Sequence, residues 1–117
     1  ALRYTNAQVA PGTTISTANL DFMETWGSSY GTSVKNKIYA SDEDDCTLGS
    51  GYLPSGKTKT TASVDWDSNG SQGTSGQWYQ TYATVKPPDI ASIIQEVIDR
   101  PGWQSGNDLC ILIEDDG

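Results

Sequence analysis

The sequence predicts an all-β fold: an antiparallel β-sandwich closed at one end by a single short α-helix. Three observations carry that expectation. Short runs of alternating apolar and polar residues recur between Leu2 and Val85, which is the period of half-buried strands. Gly, Ser, Thr, Asn and Asp fill the intervals, as turns and loops require. One segment, Ile90 to Asp99, instead repeats its apolar residues at helical spacing.

The elements follow in order. Leu2 to Val9 reads as a strand, stopped by the turn signal Ala10-Pro11-Gly12. Ile15 to Glu24 reads as a second, with Ala18, Leu20 and Phe22 on one face. Val34 to Ser41 sets Val34, Ile38 and Ala40 on one side and Lys35, Lys37 and Tyr39 on the other. Thr60 to Trp66 alternates again, with Ala62, Val64 and Trp66 sharing a face. Gln77 to Val85 is a further strand or an extended approach to the helix.

The helical segment has clear limits. Pro87 and Pro88 impose extended backbone, and Asp89 is placed to cap the first turn. Ile90, Ile93, Ile94, Val97 and Ile98 form one apolar face that must be buried. Pro101 and Gly102 stop the helix. Trp103 then begins a turn and is expected in the core, and Leu109 to Ile113 reads as a buried central strand. The whole unit is a plug for the core.

Composition narrows the function classes. A length of 117 residues suits one domain, 1–117, with no repeat and no interdomain linker. The net charge of -8 argues against a nucleic-acid backbone as partner. No His is present, which removes the commonest general base and metal ligand. No apolar run approaches the roughly 20 residues that span a bilayer. Ala1-Leu2-Arg3-Tyr4 already reads as strand, so the chain is expected to begin inside a fold, as a processed product or a fragment. Cys46 and Cys110 permit one disulfide tying an acidic loop to the central strand; two reduced buried thiols fit the same sequence.

Four segments together resemble one recurrent module: Leu2 to Ala7, Pro11 to Phe22, Thr60 to Trp66, and Pro88 to Asn107. It occurs in secreted multidomain bacterial proteins and in virion proteins of environmental phages. It is similar in layout to the jelly-roll sandwiches used as carbohydrate-binding modules, including the group with the DNRLRE-type signature. The resemblance covers nearly the whole chain and implies a jelly-roll-like sandwich and an extracellular or virion-surface location. Members normally carry a strand before the Leu2-Arg3-Tyr4 equivalent and a Tyr-Asp turn with a last strand after the Glu114 to Gly117 equivalent. The chain departs from that pattern at both ends, so a longer parent chain or neighbouring subunits are expected to supply those strands.

Candidate sites are of two kinds. Asp65, Asp67 and Asn69, followed by Gly70, match the first half of a calcium loop, but position twelve is Gly76 where a bidentate Glu is needed. A plain Asp/Asn/Gly turn is the simpler reading. The run Asp42-Glu43-Asp44-Asp45 would create a second calcium site if it met Glu114-Asp115-Asp116; otherwise both are solvated loops. Trp26, Tyr30, Tyr52, Trp78, Tyr79 and Tyr82 lie in or beside loops, where flat rings stack on sugar faces and nearby amides bond the hydroxyls. No carboxylate pair stands out as glycosidase machinery. The expected function is non-enzymatic: a structural or adhesive surface module, joined to itself or to other subunits through edge strands, that takes glycans. The alternatives are a carbohydrate-binding module of a secreted multidomain enzyme and a calcium-stabilised extracellular spacer.

Overall fold

A computed structural model describes residues 1–20, 22–23, 35–49, 56–67, 84–85 and 89–117. Its elements are β1 (Leu2–Tyr4), β2 (Phe22–Met23), β3 (Asn36–Ala40), β4 (Val64–Asp65), β5 (Thr84–Val85), α1 (Ala91–Ile98) and β6 (Leu109–Asp115). Four strands form one sheet in the order β1-β6-β3-β4, and β2 pairs with β5 in a second, two-stranded sheet. Every pairing is antiparallel. The described fold is thus antiparallel β with one short helix.

Register explains which residues reach the core. Leu2 faces Ile111, Ile111 faces Ala40, and Ile38 faces both Ile113 and Val64. Directly opposed residues share a face of the sheet, so these side chains form one apolar surface. α1 packs against β3 and covers that surface with Ile93, Ile94, Val97 and Ile98, and Ile90 joins them from the turn before it. Burying each such side chain contributes about 1.5–3 kcal/mol. Trp66 and Trp103 complete the same cluster. Cys110 and Leu112 point to the opposite face and are also fully buried. A strand buried on both faces reads as a continuous apolar run, which is why β6 is so plain in the sequence.

Several strands are shorter than their alternation predicts, and the physical reason recurs. β1 stops at Tyr4, not Val9: Asn6 adopts a left-handed conformation with φ 57, and strand pairing does not continue. The expected strand from Ile15 keeps Ala18 and Leu20 inward, but residues 15–20 form no ladder: Gln95 of α1 accepts the Ile15 N–H, and Asp89, just before α1, accepts that of Ala18. Thr60 to Trp66 contracts to β4 in the same way. The Glu96 carboxylate accepts the N–H groups of Thr61 and Ala62, both at 2.7 Å. Residues 36–40 form β3 as expected, and Ser41 makes an isolated bridge to Lys59. β5 retains two residues, Thr84 and Val85; residues 77–83 lie outside the described set, as does Val34. β6 runs two residues further than expected, to Asp115.

The helix occupies 91–98, inside the expected 90–99. The cap is corrected by one position: Ile90 is the capping residue and has no side-chain bond to offer. Asp89, one residue earlier, still accepts the Ala91 N–H at 2.8 Å, and its same oxygen accepts the Ala18 N–H at 2.9 Å. At the far end Asp99 and Arg100 close onto the carbonyls of Gln95 and Val97 before Pro101 ends the helix. The Pro11-Gly12 turn forms where expected, with Gly12 at φ 78 and Thr13 N–H donating to the Ala10 carbonyl.

Candidate functional site

Two regions lie on different sides of β6. The first is the acidic loop. Cys46 and Cys110 form a disulfide with Cα atoms 5.9 Å apart, which fastens the loop to β6. Arg100, just past α1, bonds Asp44 through Nε at 2.6 Å and pairs with Asp42 through its terminal nitrogen. Those two carboxylates in turn raise the Arg100 pKa, Asp44 more than Asp42. Asp45 accepts the Asp108 N–H at 2.8 Å, and Asn107 donates its amide to the Asp44 carbonyl at 2.9 Å. Glu43 holds Lys57 at 2.7 Å and the Ser41 hydroxyl at 3.0 Å. Burial acts to raise the Glu43 pKa, but Lys57 and Ser41 outweigh it and the carboxyl lies below its ordinary value.

Glu114 and Asp116, in the second acidic run, have partners of their own. Glu114 pairs with Lys59, and Lys59 also lies 5.2 Å from the Tyr39 ring centre. Asp116 and Asp65 share Lys37, at 3.3 and 3.1 Å, and both raise the Lys37 pKa, Asp65 first. Asp67 is exposed, and Asn69 lies outside the described residues. Among the described residues no three acidic or cysteine side chains assemble into a group fit for a metal ion. Among the described residues, Arg100 holds Asp42 and Asp44, Lys57 holds Glu43, Lys59 holds Glu114, and Lys37 holds Asp116.

The second region is an apolar trough of about 190 Å³ between α1 and the β1–β6 edge of the sheet. It is lined by Ile90 and Ile94 from the helix side, Leu109 and Ile111 from β6, and Ala18, Asn19 and Leu20. Tyr4 stands at its rim and is 45% exposed, the exposed large hydrophobic residue of the described set. Register accounts for that position, because Tyr4 pairs with Leu109 and so faces the helix side of the sheet. It lies in the strand at one end of the described order, where no fifth described strand covers it. Partial burial raises the pKa of its phenol. Among the described residues, neither the Tyr4 hydroxyl nor the Asn19 amide has a hydrogen-bond partner.

Carboxylates position both ends of this region. Asp108 takes the Arg3 guanidinium at 2.7 Å and the Asn6 N–H at 2.9 Å, holding β1 against β6. The Asn6 N–H is the larger cause of its lowered pKa, and Arg3 adds to it. Asp89 is lowered by the N–H groups of Ala18 and then Ala91, and it holds the wall of the trough against the start of α1. Trp103, expected in the core, is there; its indole N–H donates to the Val9 carbonyl at 2.9 Å.

The aromatic candidates Trp26, Tyr30, Tyr52, Trp78, Tyr79 and Tyr82 all lie outside the described residues. Tyr4 and Asn19 were missed as site residues, since each looked like an ordinary member of a strand. One signal existed. Tyr4 shares the inward parity of Leu2 in a short terminal strand, where an inward aromatic overhangs the end of a covering helix.

The chain matches no protein-family model, no curated protein and no solved structure.

Proposed function

We propose that this chain is a non-enzymatic surface module of a virion or extracellular assembly, a sandwich of jelly-roll type whose task is adhesion, with the trough taking one ring of a glycan. The observation that carries the reading is the chemistry of the trough. Its lining is largely aliphatic, an exposed tyrosine ring stands at the rim, and the Tyr4 hydroxyl and Asn19 amide have no partner among the described residues. A pyranose offers the matching surface: C–H groups for the floor and ring, hydroxyls for the two polar groups. The size fits one ring, since an apolar cavity of about 150 Å³ accommodates benzene. The acidic side of the molecule supports the reading by what it lacks, because its charged groups are committed to internal pairs.

The test is NMR titration of the whole chain with a panel of neutral mono- and oligosaccharides. Binding should shift the amides of Tyr4, Asn19, Ile94 and Leu109 together, and Tyr4→Ala should remove the shifts. Shifts that survive Tyr4→Ala and disappear in Trp78→Ala would place the sugar elsewhere. No shift at millimolar sugar would remove adhesion through glycans and leave assembly as the function.

That second reading, assembly by strand addition, is favoured by the place of β1 at one end of the described strand order. An edge of this kind offers unpaired backbone groups to a neighbouring chain. Sedimentation analysis would show ordered oligomers that dissociate when Arg3 is replaced by Pro, which cannot donate from its backbone nitrogen.

A further inference from the structure

We propose that residues 7–20 are a strap that swings away from α1 as one unit, hinged at Asn6, and that this motion opens the trough. The inference rests on reading the trough as a binding site, and it supplies the control of access to that site. Residues 7–20 contribute no strand and no helix. Among the described residues, apart from the Pro11-Gly12 turn and the Gln8 amide, which donates to Asn6, their hydrogen bonds end on α1, on the residues just before it, or on the turn between α1 and β6. Ala7 exchanges bonds with Asn107 and Gly106 at 2.9 and 2.8 Å, and the Val9 carbonyl accepts from Trp103. The Gln95 amide grips Thr13 and Ile15 at 3.0 and 2.8 Å. Ala18 donates to Asp89 and accepts from the Ile90 N–H.

Three features make this a gate and not merely a loop. Ala18, Asn19 and Leu20 line the trough together with Ile90 and Ile94, so separating strap from helix takes apart its lining. Beyond the packing of Leu20, Val9, Ile15 and Ala18 on the core, the ties are side-chain clips and isolated backbone bonds, whereas β3 and β6 are joined by a continuous ladder of five paired positions. Segments held in the first way open at lower free energy than those held in the second. Asn6, with φ 57, lies between β1 and the strap, and its left-handed backbone already turns the chain there. Opening at Asn6 leaves the pairing of β1 with β6 in place.

Residue-resolved native-state hydrogen exchange on the whole chain tests the motion without any ligand, so it remains readable if no sugar binds. Among the described residues, Gln95 hydrogen-bonds the strap at Thr13 and Ile15 and at no other position. If the strap moves as a unit, Gln95→Ala accelerates exchange at Ala7 and Ala18 as well as Ile15, by roughly tenfold, while β3 and β6 amides keep their wild-type rates. Asp89→Ala should accelerate the same set, which guards against a local effect of the glutamine. Acceleration confined to Ile15 in the first variant would overturn the proposal, because the strap would then open piecewise. Equal acceleration of strap and sheet amides would overturn it too, because the strap would then open by global unfolding.

Discussion

The acidic loop and the trough are near neighbours across β6, yet they use opposite chemistry. On the loop side, four consecutive acidic residues are engaged by Arg100, Lys57 and the Asp108 backbone, with a disulfide beneath them. On the trough side, aliphatic walls leave a gap, and two polar groups at or beside its rim have no partner among the described residues. The contrast teaches that the conspicuous charge run is an internal fastening. The unfilled apolar volume lies where the sequence looks plain. A charge that is already paired and hydrogen-bonded has little left for a ligand, whereas unfilled apolar volume is a standing source of binding free energy.

The largest expected effect attacks the fastening. Replacing both Cys46 and Cys110 by Ala removes a link that spans 64 residues and should cost about 4 kcal/mol in denaturant unfolding. A loss below about 1 kcal/mol would mean that the loop is held without it. Next comes Glu96→Ala, which strips the acceptor from two backbone N–H groups at Thr61 and Ala62. We expect about 2 kcal/mol, visible as a lower denaturation midpoint with an unchanged slope.

A smaller effect sharpens the loop half of the comparison. A Cβ at Gly102 would run into the Asp44 carboxylate that Arg100 holds. Gly102→Ala should therefore cost about 1–2 kcal/mol, and much less in an Asp44→Ala background. Equal costs in the two backgrounds would show that the turn does not rest on that carboxylate.

Acid separates the two sides differently. Asp89 and Asp108 have folded pKa values below their ordinary 3.8. Their stabilisation is complete above that value and is lost as pH falls through the lower folded values. Asp108 faces Arg3 and the Asn6 N–H, and its own N–H meets Asp45; Asp89 faces the N–H groups of Ala18 and Ala91. Strap amides should thus lose protection below about pH 3.8 while the disulfide keeps the loop attached. Protection unchanged down to pH 2 would contradict this. The smallest stability effect is expected from Tyr4→Ala, within about 1 kcal/mol for so exposed a side chain, although this variant should lose any sugar-induced shift.

Much of the frame was legible before the coordinates. The stripe Ile90, Ile93, Ile94, Val97 and Ile98 needed a core, and the helix that buries it ends within one residue of its expected limits. The run from Leu109 to Ile113 was readable as a central strand because both its faces are apolar. Strand ends were less legible. Alternation reports which side chains point inward, and Ala18, Leu20 and Ala62 do so, but it cannot report that Gln95, Asp89 and Glu96 take the backbone groups a ladder would use. The candidate site was the least legible part, because Tyr4, Asn19, Ile94 and Leu109 come from four separate stretches of chain and none is unusual alone.

Sequence by itself determined the periodicities, and with them an antiparallel β fold carrying one short amphipathic helix. A burial pattern is a local property, written residue by residue along the backbone. Tertiary structure alone decided that the acids would be divided among separate cations and backbone groups, and that an aliphatic gap would remain beside β1. Those outcomes depend on distances between residues far apart in the chain, such as Arg100 and Asp42 or Tyr4 and Ile94, and such distances exist only after packing has set them.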